Sequence, residues 1–194
     1  MIFVEQYIID SIDQMHVVIF AGALHQQVDP VEIGTTLNQV ISTYSLELAQ
    51  IFDNRYVWGH RHLKSAIWHA YQAFTTSQLI SKTLSMEVLL YIAGMRQIQK
   101  ALRLVGVRSA TPHIAGVLGG GTHDQLVTVF KCLQDTLNFQ ADVALLEDLP
   151  PKREFLWELL TTDVQYQRTL QDFSNFDIEK AVLQRIALLA LEEG

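Results

Sequence analysis

Apolar residues follow helical spacing most clearly in the middle third of the chain. Between Leu63 and Phe74 they recur at i, i+3, i+4, i+7, i+8 and i+11, the pattern of a helix with one buried face. A second, shorter helix is predicted from Met86 to Ala93, because Ser85 is suited to cap its start and Gly94 to end it. The pattern therefore predicts two consecutive helices that bury part of their surface.

The sharpest amphipathic pattern follows Gly94 and ends at Gly106. Three cations lie there at i, i+4 and i+7, so at about 100° per residue they fall opposite the apolar stripe of the predicted helix. This segment is therefore expected to bury one side and to present a cationic side. The cations are Arg96, Lys100 and Arg103, and the apolar stripe consists of Ile98, Ala101, Leu102 and Val105.

Strands and further helices are predicted on either side of this region. Clusters of β-branched and aromatic residues predict strands over residues 2–9, 16–20, 113–118 and 141–146, and short extended segments over residues 46–52 and 56–58 around a turn at Asp53-Asn54. Capping and proline signals predict helices that begin at Asp29-Pro30, at Thr122 with Gln125, at Pro150-Pro151 and at Asp177, the last running to about Glu192. Because strands and helices are intermixed without strict βα alternation, the sequence predicts an α/β fold, a single domain over residues 1–194 with a mixed or antiparallel sheet flanked by helices.

Composition places the chain in a broad class. It has 194 residues, of which 49% are hydrophobic, so it is long enough to bury a substantial core. Its only cysteine, Cys132, cannot form an intramolecular disulfide, and the N-terminus lacks the basic region of a signal peptide. No uncharged apolar run approaches the roughly 20 residues of a membrane span. These features predict a globular, cytoplasmic protein that does not enter a membrane.

Charge is sorted into three blocks along the chain. Residues 1–54 carry seven acidic residues and no Lys or Arg, residues 55–108 carry eight Lys or Arg against one Glu, and residues 109–194 carry six Lys or Arg against thirteen acidic residues. The blocks therefore stand near −7, +7 and −7, within a net charge of −7. A local cationic surface can attract an anion although the overall charge repels a polyanion, so the middle block is the first candidate for function.

The cations of the middle block are suited to nucleic acid. Fixed cations about one helical turn apart can hold a phosphate backbone, and Lys82 and Arg108 flank the cationic helix in sequence. The alternative is an ordinary solvated helix face. Trp68 is expected to be exposed on the preceding helix, where it can stack on a base, enter a partner protein or pack against its own domain.

Several other features favour a structural role. His60, His62 and His69 have no nearby carboxylate or thiol in sequence to complete a metal site. The glycines at 119–121 lack the Lys of a phosphate loop and the GxGxxG spacing, so a tight turn is expected. Cys132 is expected to be inert packing in a helix. Since no nucleophile elbow or catalytic carboxylate pair is apparent, the sequence predicts no enzyme, metal or cofactor.

The C-terminal helix is apolar on nearly every side. Its main stripe consists of Ile178, Val182, Ile186 and Leu189, and other apolar residues extend around the axis. A helix of this kind needs cover on more than one face. The cover can come from the core of the domain or from a second protein, and both alternatives stay open.

Residues 85–107, SMEVLLYIAGMRQIQKALRLVGV, resemble the signature of the kinase-binding subunit of the KEOPS complex. In that family an M-E-(I/V)-L helix runs into G-x-R-Q-I and a helix that ends in glycine. Residues 62–74 are similar to the family's H-(V/L)-x-x-A helix, and residues 178–193 to its closing helix. These segments cover about half of the chain in the family's order, whereas residues 119–176 align loosely and the N-terminal third is extended.

The resemblance implies a non-catalytic subunit of the assembly that makes threonylcarbamoyladenosine in tRNA. In that family the subunit binds the atypical kinase-like ATPase of the complex and supports its activity, and in archaeal systems it captures the 3′ CCA end of tRNA. The G-x-R-Q-I motif, which includes Ile98, thus implies RNA contact, and the closing helix implies a kinase interface. The predicted RNA-binding residues are Lys82, Gly94, Arg96, Gln97, Lys100, Arg103 and Arg108, and the predicted partner-binding residues are Val182, Ile186, Leu188 and Leu189.

Two other classes of function stay open. One is an enzyme that acts on a small phosphorylated substrate, with the glycine turn and the cationic helix as its anion pocket. The other is a purely structural adaptor whose cationic block docks an acidic partner, without a role for RNA. Binding to tRNA with and without its CCA end separates the leading hypothesis from both.

Overall fold

The computed structural model describes residues 2–3, 6–147, 150–161 and 174–191. The chain divides into two compact units. Unit 1 comprises Met1–Asn54 and Gly106–Leu146, and unit 2 comprises Arg55–Val105 and Glu147–Gly194. The described strands all lie in unit 1, whereas the described secondary structure of unit 2 is helical.

Unit 1 is built on an antiparallel sheet of six strands. The strands are β1 (Ile2–Phe3), β2 (Tyr7–Ile12), β3 (Met15–Leu24), β4 (Leu48–Asp53), β5 (His113–Gly119) and β6 (Phe139–Ala141). Their order across the sheet is β1-β2-β3-β5-β4, and β6 pairs with the end of β3. The centre of β3 is an unbroken apolar run because this strand has neighbours on both edges and is buried on both faces.

Seven α-helices are present among the described residues. They are α1 (Pro30–Tyr44), α2 (Gly59–Thr75), α3 (Leu84–Ala93), α4 (Ile98–Val105), α5 (His123–Leu137), α6 (Arg153–Thr161) and α7 (Asn175–Leu191). In unit 1, α1 and α5 contact each other and cover the sheet around a core that includes Phe20, Phe130 and Phe139. In unit 2, α2 packs on α3 and α7, α3 packs on α4, and α6 packs on α7. None of the described helices combines the length and the apolar character that a bilayer span requires.

The predicted fold class is confirmed, and several local signals act as expected. Asp29 caps α1 by accepting a hydrogen bond from the backbone N–H of Val31, with Pro30 in the first turn. Thr122 caps α5 by accepting from the N–H of Gln125. The second half of that capping box is replaced, because the Gln125 amide donates instead to the Tyr44 carbonyl.

One predicted extended segment and one predicted strand differ from the structure. Residues 54–56 form a 3-10 helix, and α2 begins at Gly59. The apolar character of residues 56–58 reflects their burial, and the Tyr56 hydroxyl donates a hydrogen bond to Glu158. Residues 143–146 also form a 3-10 helix. There the Asp142 carboxylate accepts from the N–H of Ala144, a local bond that favours a turn over a strand.

The ends of several predicted strands and helices differ from the structure, because the sequence analysis did not identify the turn and capping residues there. The strands predicted at 2–9 and 16–20 are instead joined in a hairpin, because Asp13 takes a φ of 50° in the two-residue turn between β2 and β3. Residues 4–5 and Glu192 lie outside the described residues. Thr83, not Ser85, caps α3. At α7 the Ser174 hydroxyl accepts from the N–H of Asp177 while the Asp177 carboxylate accepts from Ser174, so Asp177 is the third-position partner of a capping box.

Candidate nucleic-acid and partner-binding surfaces

The G-x-R-Q-I segment begins at a tight helix end. Gly94 has a φ of 59°, and its N–H donates to the carbonyls of Leu90 and Tyr91, while the N–H of Met95 donates to Leu90. This is the pattern of a Schellman motif, in which a left-handed residue, usually Gly, reverses the chain and a buried apolar residue follows it. Met95 is that buried residue. The turn therefore fixes the point at which the chain leaves α3.

Arg96 and Gln97 form an exposed two-residue bridge between this turn and α4. The Gln97 carbonyl accepts from the N–H groups of Lys100 and Ala101, so Gln97 occupies the capping position of α4. Arg96 therefore precedes α4, and the prediction that all three cations share one helix is wrong. Gly94 and Met95 complete the Schellman turn and Gln97 caps α4, so the helix begins only at Ile98.

The two cationic side chains of α4 differ in their exposure to solvent. Arg103 is exposed and Lys100 is half-buried. Among the described residues, no ion pair involves Lys82, Arg96 or Arg103. These three side chains thus keep their charge available to an external anion.

The apolar stripe of α4 is only half buried. Ala101 and Val105 are fully buried as predicted, but Ile98 and Leu102 are 38% and 42% exposed. These two residues are four apart on the helix and so form one surface. Apolar surface is thereby present directly beside Arg96 and Gln97 in sequence.

Lys82 lies in a loop that a buried carboxylate organises. Glu87 is fully buried and accepts hydrogen bonds from the N–H groups of Ile80 and Ser81 and from the Ser81 hydroxyl, the last at 2.6 Å. Three hydrogen bonds to one carboxylate offset the cost of burying its charge. The Glu of the M-E-(I/V)-L motif therefore holds the loop that presents Lys82.

Arg108 belongs to unit 1, unlike the other predicted RNA-binding residues. Its guanidinium lies 3.4 Å from the carboxylate of Asp53, which is fully buried and also accepts from the Thr111 hydroxyl at 3.1 Å. Arg108 therefore already has a structural partner, since it compensates a buried charge.

The predicted partner-binding residues of α7 separate into two groups by burial. Val182, Ile186 and Leu189 are buried in unit 2, as is Ile178, so the chain itself covers the main stripe. Leu188 is 59% exposed. The exposed side of α7 carries apolar residues at both ends, namely Phe176, Leu188 and Leu191.

Trp68 is exposed as predicted, at 45%, and borders an aromatic cluster. Its ring meets the His69 ring edge-on at 4.7 Å between centroids, and His69 stacks on the buried Tyr91 at 5.8 Å. Burial lowers the pKa of His69, so the imidazole is predominantly neutral near pH 7.

His62 has a structural role at the start of α2. Its Nδ1 accepts from the backbone N–H of Trp58 at 3.0 Å, so the proton of the neutral ring resides on Nε2. Burial lowers its pKa to about 3. The histidine of the H-(V/L)-x-x-A pattern is therefore a neutral core residue that fixes the backbone at the start of α2.

A small open cavity of about 180 Å³ lies in unit 2 at the start of α2. Glu147 accepts there from both the N–H and the imidazole Nδ1 of His60, the latter at 2.6 Å, and Arg61 pairs with Glu179 at 3.4 Å. Partial burial acts to raise the pKa of Glu147, but the hydrogen bonds from His60 lower it overall. The polar side chains of His60, Arg61, Glu147 and Glu179 in this cavity thus already have partners within it.

The remaining candidates are structural or exposed. Gly120 and Gly121 take φ values of 87° and 80°, as a tight turn requires. Cys132 is exposed on α5, so the prediction that it packs inside is wrong. No group of three or more His, Cys, Asp or Glu residues that could hold a metal ion is found in the part of the chain that the structure describes.

The fold and these surfaces define a mixed α/β protein with an exposed cationic bridge and an apolar face on its last helix. The chain belongs to the family of the kinase-binding protein CGI-121, whose model matches residues 28–190. No curated protein matches the sequence. The matched range begins just before α1 and ends in the last turn of α7, so both units contribute to the family domain.

Sequence reasoning missed two residues that organise the surfaces. One is Glu87, and the only sequence signal for its burial is its position inside an otherwise apolar helix. The other is Arg185, whose guanidinium donates from Nε to the Gly94 carbonyl at 3.0 Å. Its partner is 91 residues away, so no local spacing could have found this contact.

Proposed function

We propose that this chain is a non-catalytic subunit of the KEOPS assembly and supports the synthesis of threonylcarbamoyladenosine in tRNA. It binds the kinase-like ATPase subunit through the exposed face of α7 and the 3′ CCA end of tRNA through residues 94–103. Membership of the kinase-binding family supports the protein partner. The observation that carries the RNA part is the exposed Arg96–Gln97 bridge beside the half-exposed Ile98 and Leu102.

The chemistry of a single-stranded RNA end matches this surface. Such an end offers phosphates together with bases that are not stacked, and proteins bind it with a few cations and a surface on which a base can lie. Arg96 supplies charge and planar donors, Gln97 supplies an amide for a base edge, and Ile98 with Leu102 supplies the apolar surface. The first N–H groups of α4, which carry partial positive charge, favour a phosphate at the same place.

The other predicted RNA contacts receive different support. Arg103 and Lys100 extend the cationic surface along α4, and Lys82 is exposed on its own loop. Arg108 has the weakest support, because it pairs with buried Asp53. We therefore expect Arg96 to matter most and Arg108 least.

The proposed kinase interface is the apolar part of the exposed face of α7. An exposed cluster of large apolar side chains on a helix is typical of a protein-binding surface. Leu188 lies in its C-terminal half, whereas Val182, Ile186 and Leu189 support the helix from within. Of the four predicted partner-binding residues, only Leu188 is exposed enough to contact a partner, and we add the exposed Leu191 to the proposed interface.

We propose a cytoplasmic location for the assembly.

Reversal of one charge tests the RNA part. Arg96→Glu should weaken binding of intact tRNA at least about tenfold, a loss of about 1.4 kcal/mol, because it removes a cation and repels phosphate. Lys131→Glu is the matched control, since Lys131 is an exposed cation of α5 in unit 1 and the net charge changes equally. Fluorescence polarisation with labelled tRNA measures both affinities.

Equal affinity of the wild type and Arg96→Glu would contradict the proposed site. A loss of the same size in Lys131→Glu would show that overall charge, not a local site, governs binding. Tight binding of a phosphorylated small molecule to the isolated chain would instead favour an enzyme. Kinase association without any tRNA binding would favour a purely structural adaptor.

A further inference from the structure

Arg185 joins the ends of two helices in unit 2. Its Nε donates to the Gly94 carbonyl at 3.0 Å, and its Nη1 donates to the Leu160 carbonyl at 3.3 Å. Gly94 ends α3, and Leu160 lies in the last turn of α6. The last carbonyls of a helix lack partners within the helix and carry partial negative charge. One guanidinium thus binds such a carbonyl in the last turn of α6 together with the carbonyl of the residue that follows α3, as its fork of donors permits.

The side chain of Arg185 also occupies the space beside Gly94. A Cβ built on Gly94 would lie 2.5 Å from Cγ and 2.6 Å from Cδ of Arg185. Two independent constraints therefore require glycine at this position, the positive φ of the Schellman turn and the close approach of Arg185. A contact within the protein thus helps to explain why the G-x-R-Q-I segment begins with glycine.

We propose that Arg185 is a positioning residue for the RNA-binding bridge, an inference that rests on the proposed function. Buried Met95 connects Gly94 to the bridge of Arg96 and Gln97. The direction in which the bridge runs therefore depends on the orientation of the Gly94–Met95 peptide. Arg185 holds that carbonyl from one side, and the two N–H bonds to Leu90 hold the turn from the other. Arg185 acts on RNA through Arg96 and Gln97, not by touching it.

Helix α7 has a side that packs within unit 2 and a side that is exposed. Arg185 is half-buried against the end of α3, whereas Leu188, less than one turn further, is exposed on the face proposed to bind the kinase. The two roles of α7 therefore use different side chains. A change at Arg185 is expected to affect RNA binding and to spare kinase association.

A double-mutant cycle with intact tRNA and the full chain tests this inference. Arg96→Ala and Arg185→Met should each weaken tRNA binding about tenfold. If Arg185 acts through the bridge, the double variant should also lose only about tenfold, because residues that act as one unit are not additive. Lys180→Met is the matched control, since it removes a cation from the exposed side of the same helix without touching Gly94.

Three outcomes would overturn the inference. Wild-type affinity of Arg185→Met, together with a loss in Arg96→Ala, shows that Arg185 is dispensable while the RNA site stands. A loss of about a hundredfold in the double variant shows that Arg185 acts independently of Arg96. Loss of both tRNA binding and kinase co-purification in Arg185→Met and in Arg185→Lys shows a role in folding alone. An Arg96→Ala variant with wild-type affinity would contradict the proposed function itself.

Discussion

Individual residues of this chain owe their properties to partners that are distant in sequence. Gly94 accommodates Arg185, and Asp53 is compensated by Arg108 and Thr111. Sequence spacing identified Gly94 as a helix stop and Arg96 as a candidate RNA contact. It could not show that Arg96 lies outside α4, because the spacing of the cations fits a helix that begins directly after Gly94 as well as one that begins at Ile98.

The neutral state of His62 predicts an effect of pH on stability. The unfolded chain takes up a proton at this imidazole near pH 6.5, whereas the folded chain does so only near pH 3. Between these values the unfolded state binds more protons, so the contribution of His62 is fully present above pH 6.5 and is lost as the pH falls toward 3. The loss is about 1.4 kcal/mol per pH unit, or about 2 kcal/mol between pH 6.5 and 5.

Urea unfolding of the wild type and His62→Gln at several pH values measures this contribution. The free energy of unfolding should fall more steeply with decreasing pH in the wild type, by about 1.4 kcal/mol per unit below pH 6. Glu147 and Asp177, whose pKa values are lowered, and His69 titrate in both proteins, so their contributions cancel in the comparison. Parallel pH profiles would show that His62 is not held neutral by the fold.

At the scale of elements, periodic patterns predicted the helices well and short strands poorly. The stripe of α2 is buried as predicted at Leu63 and Ile67. The main stripe of α7, whose cover the sequence left open, is buried at Ile178 and Val182. Short apolar runs were ambiguous, since residues 56–58 are a buried segment that begins at the end of a 3-10 helix, and residues 143–146 are a 3-10 helix in which Leu146 is buried. A run of three to six residues holds too few periods to distinguish a strand from a buried turn.

The exposed face of α7 predicts a variant that separates partner binding from folding. Leu188→Glu should abolish co-purification with the kinase subunit and leave the free energy of unfolding within about 0.5 kcal/mol, because this side chain is largely exposed. Val31→Glu makes the same chemical change at an exposed apolar residue of α1 in unit 1 and should retain the kinase. Wild-type stoichiometry with Leu188→Glu would place the interface elsewhere.

At the scale of the whole molecule, the charge blocks do not coincide with the units. The cationic block supplies Arg96, Lys100 and Arg103 to unit 2, but Arg108 falls in unit 1 and compensates a buried acid. The single-domain prediction over residues 1–194 stays a prediction, although the family model spans parts of both units. A net charge of −7 disfavours broad contact with RNA, so a small local site is the form of binding that this distribution allows.

Binding to tRNA with and without its 3′ CCA end tests the central claim most directly. The wild-type chain should bind intact tRNA at least about tenfold more tightly than the same tRNA truncated by three nucleotides, because the unpaired bases and their phosphates are the proposed ligand. In Arg96→Glu the two affinities should become similar. Equal affinity of the wild-type chain for both RNAs would contradict the account.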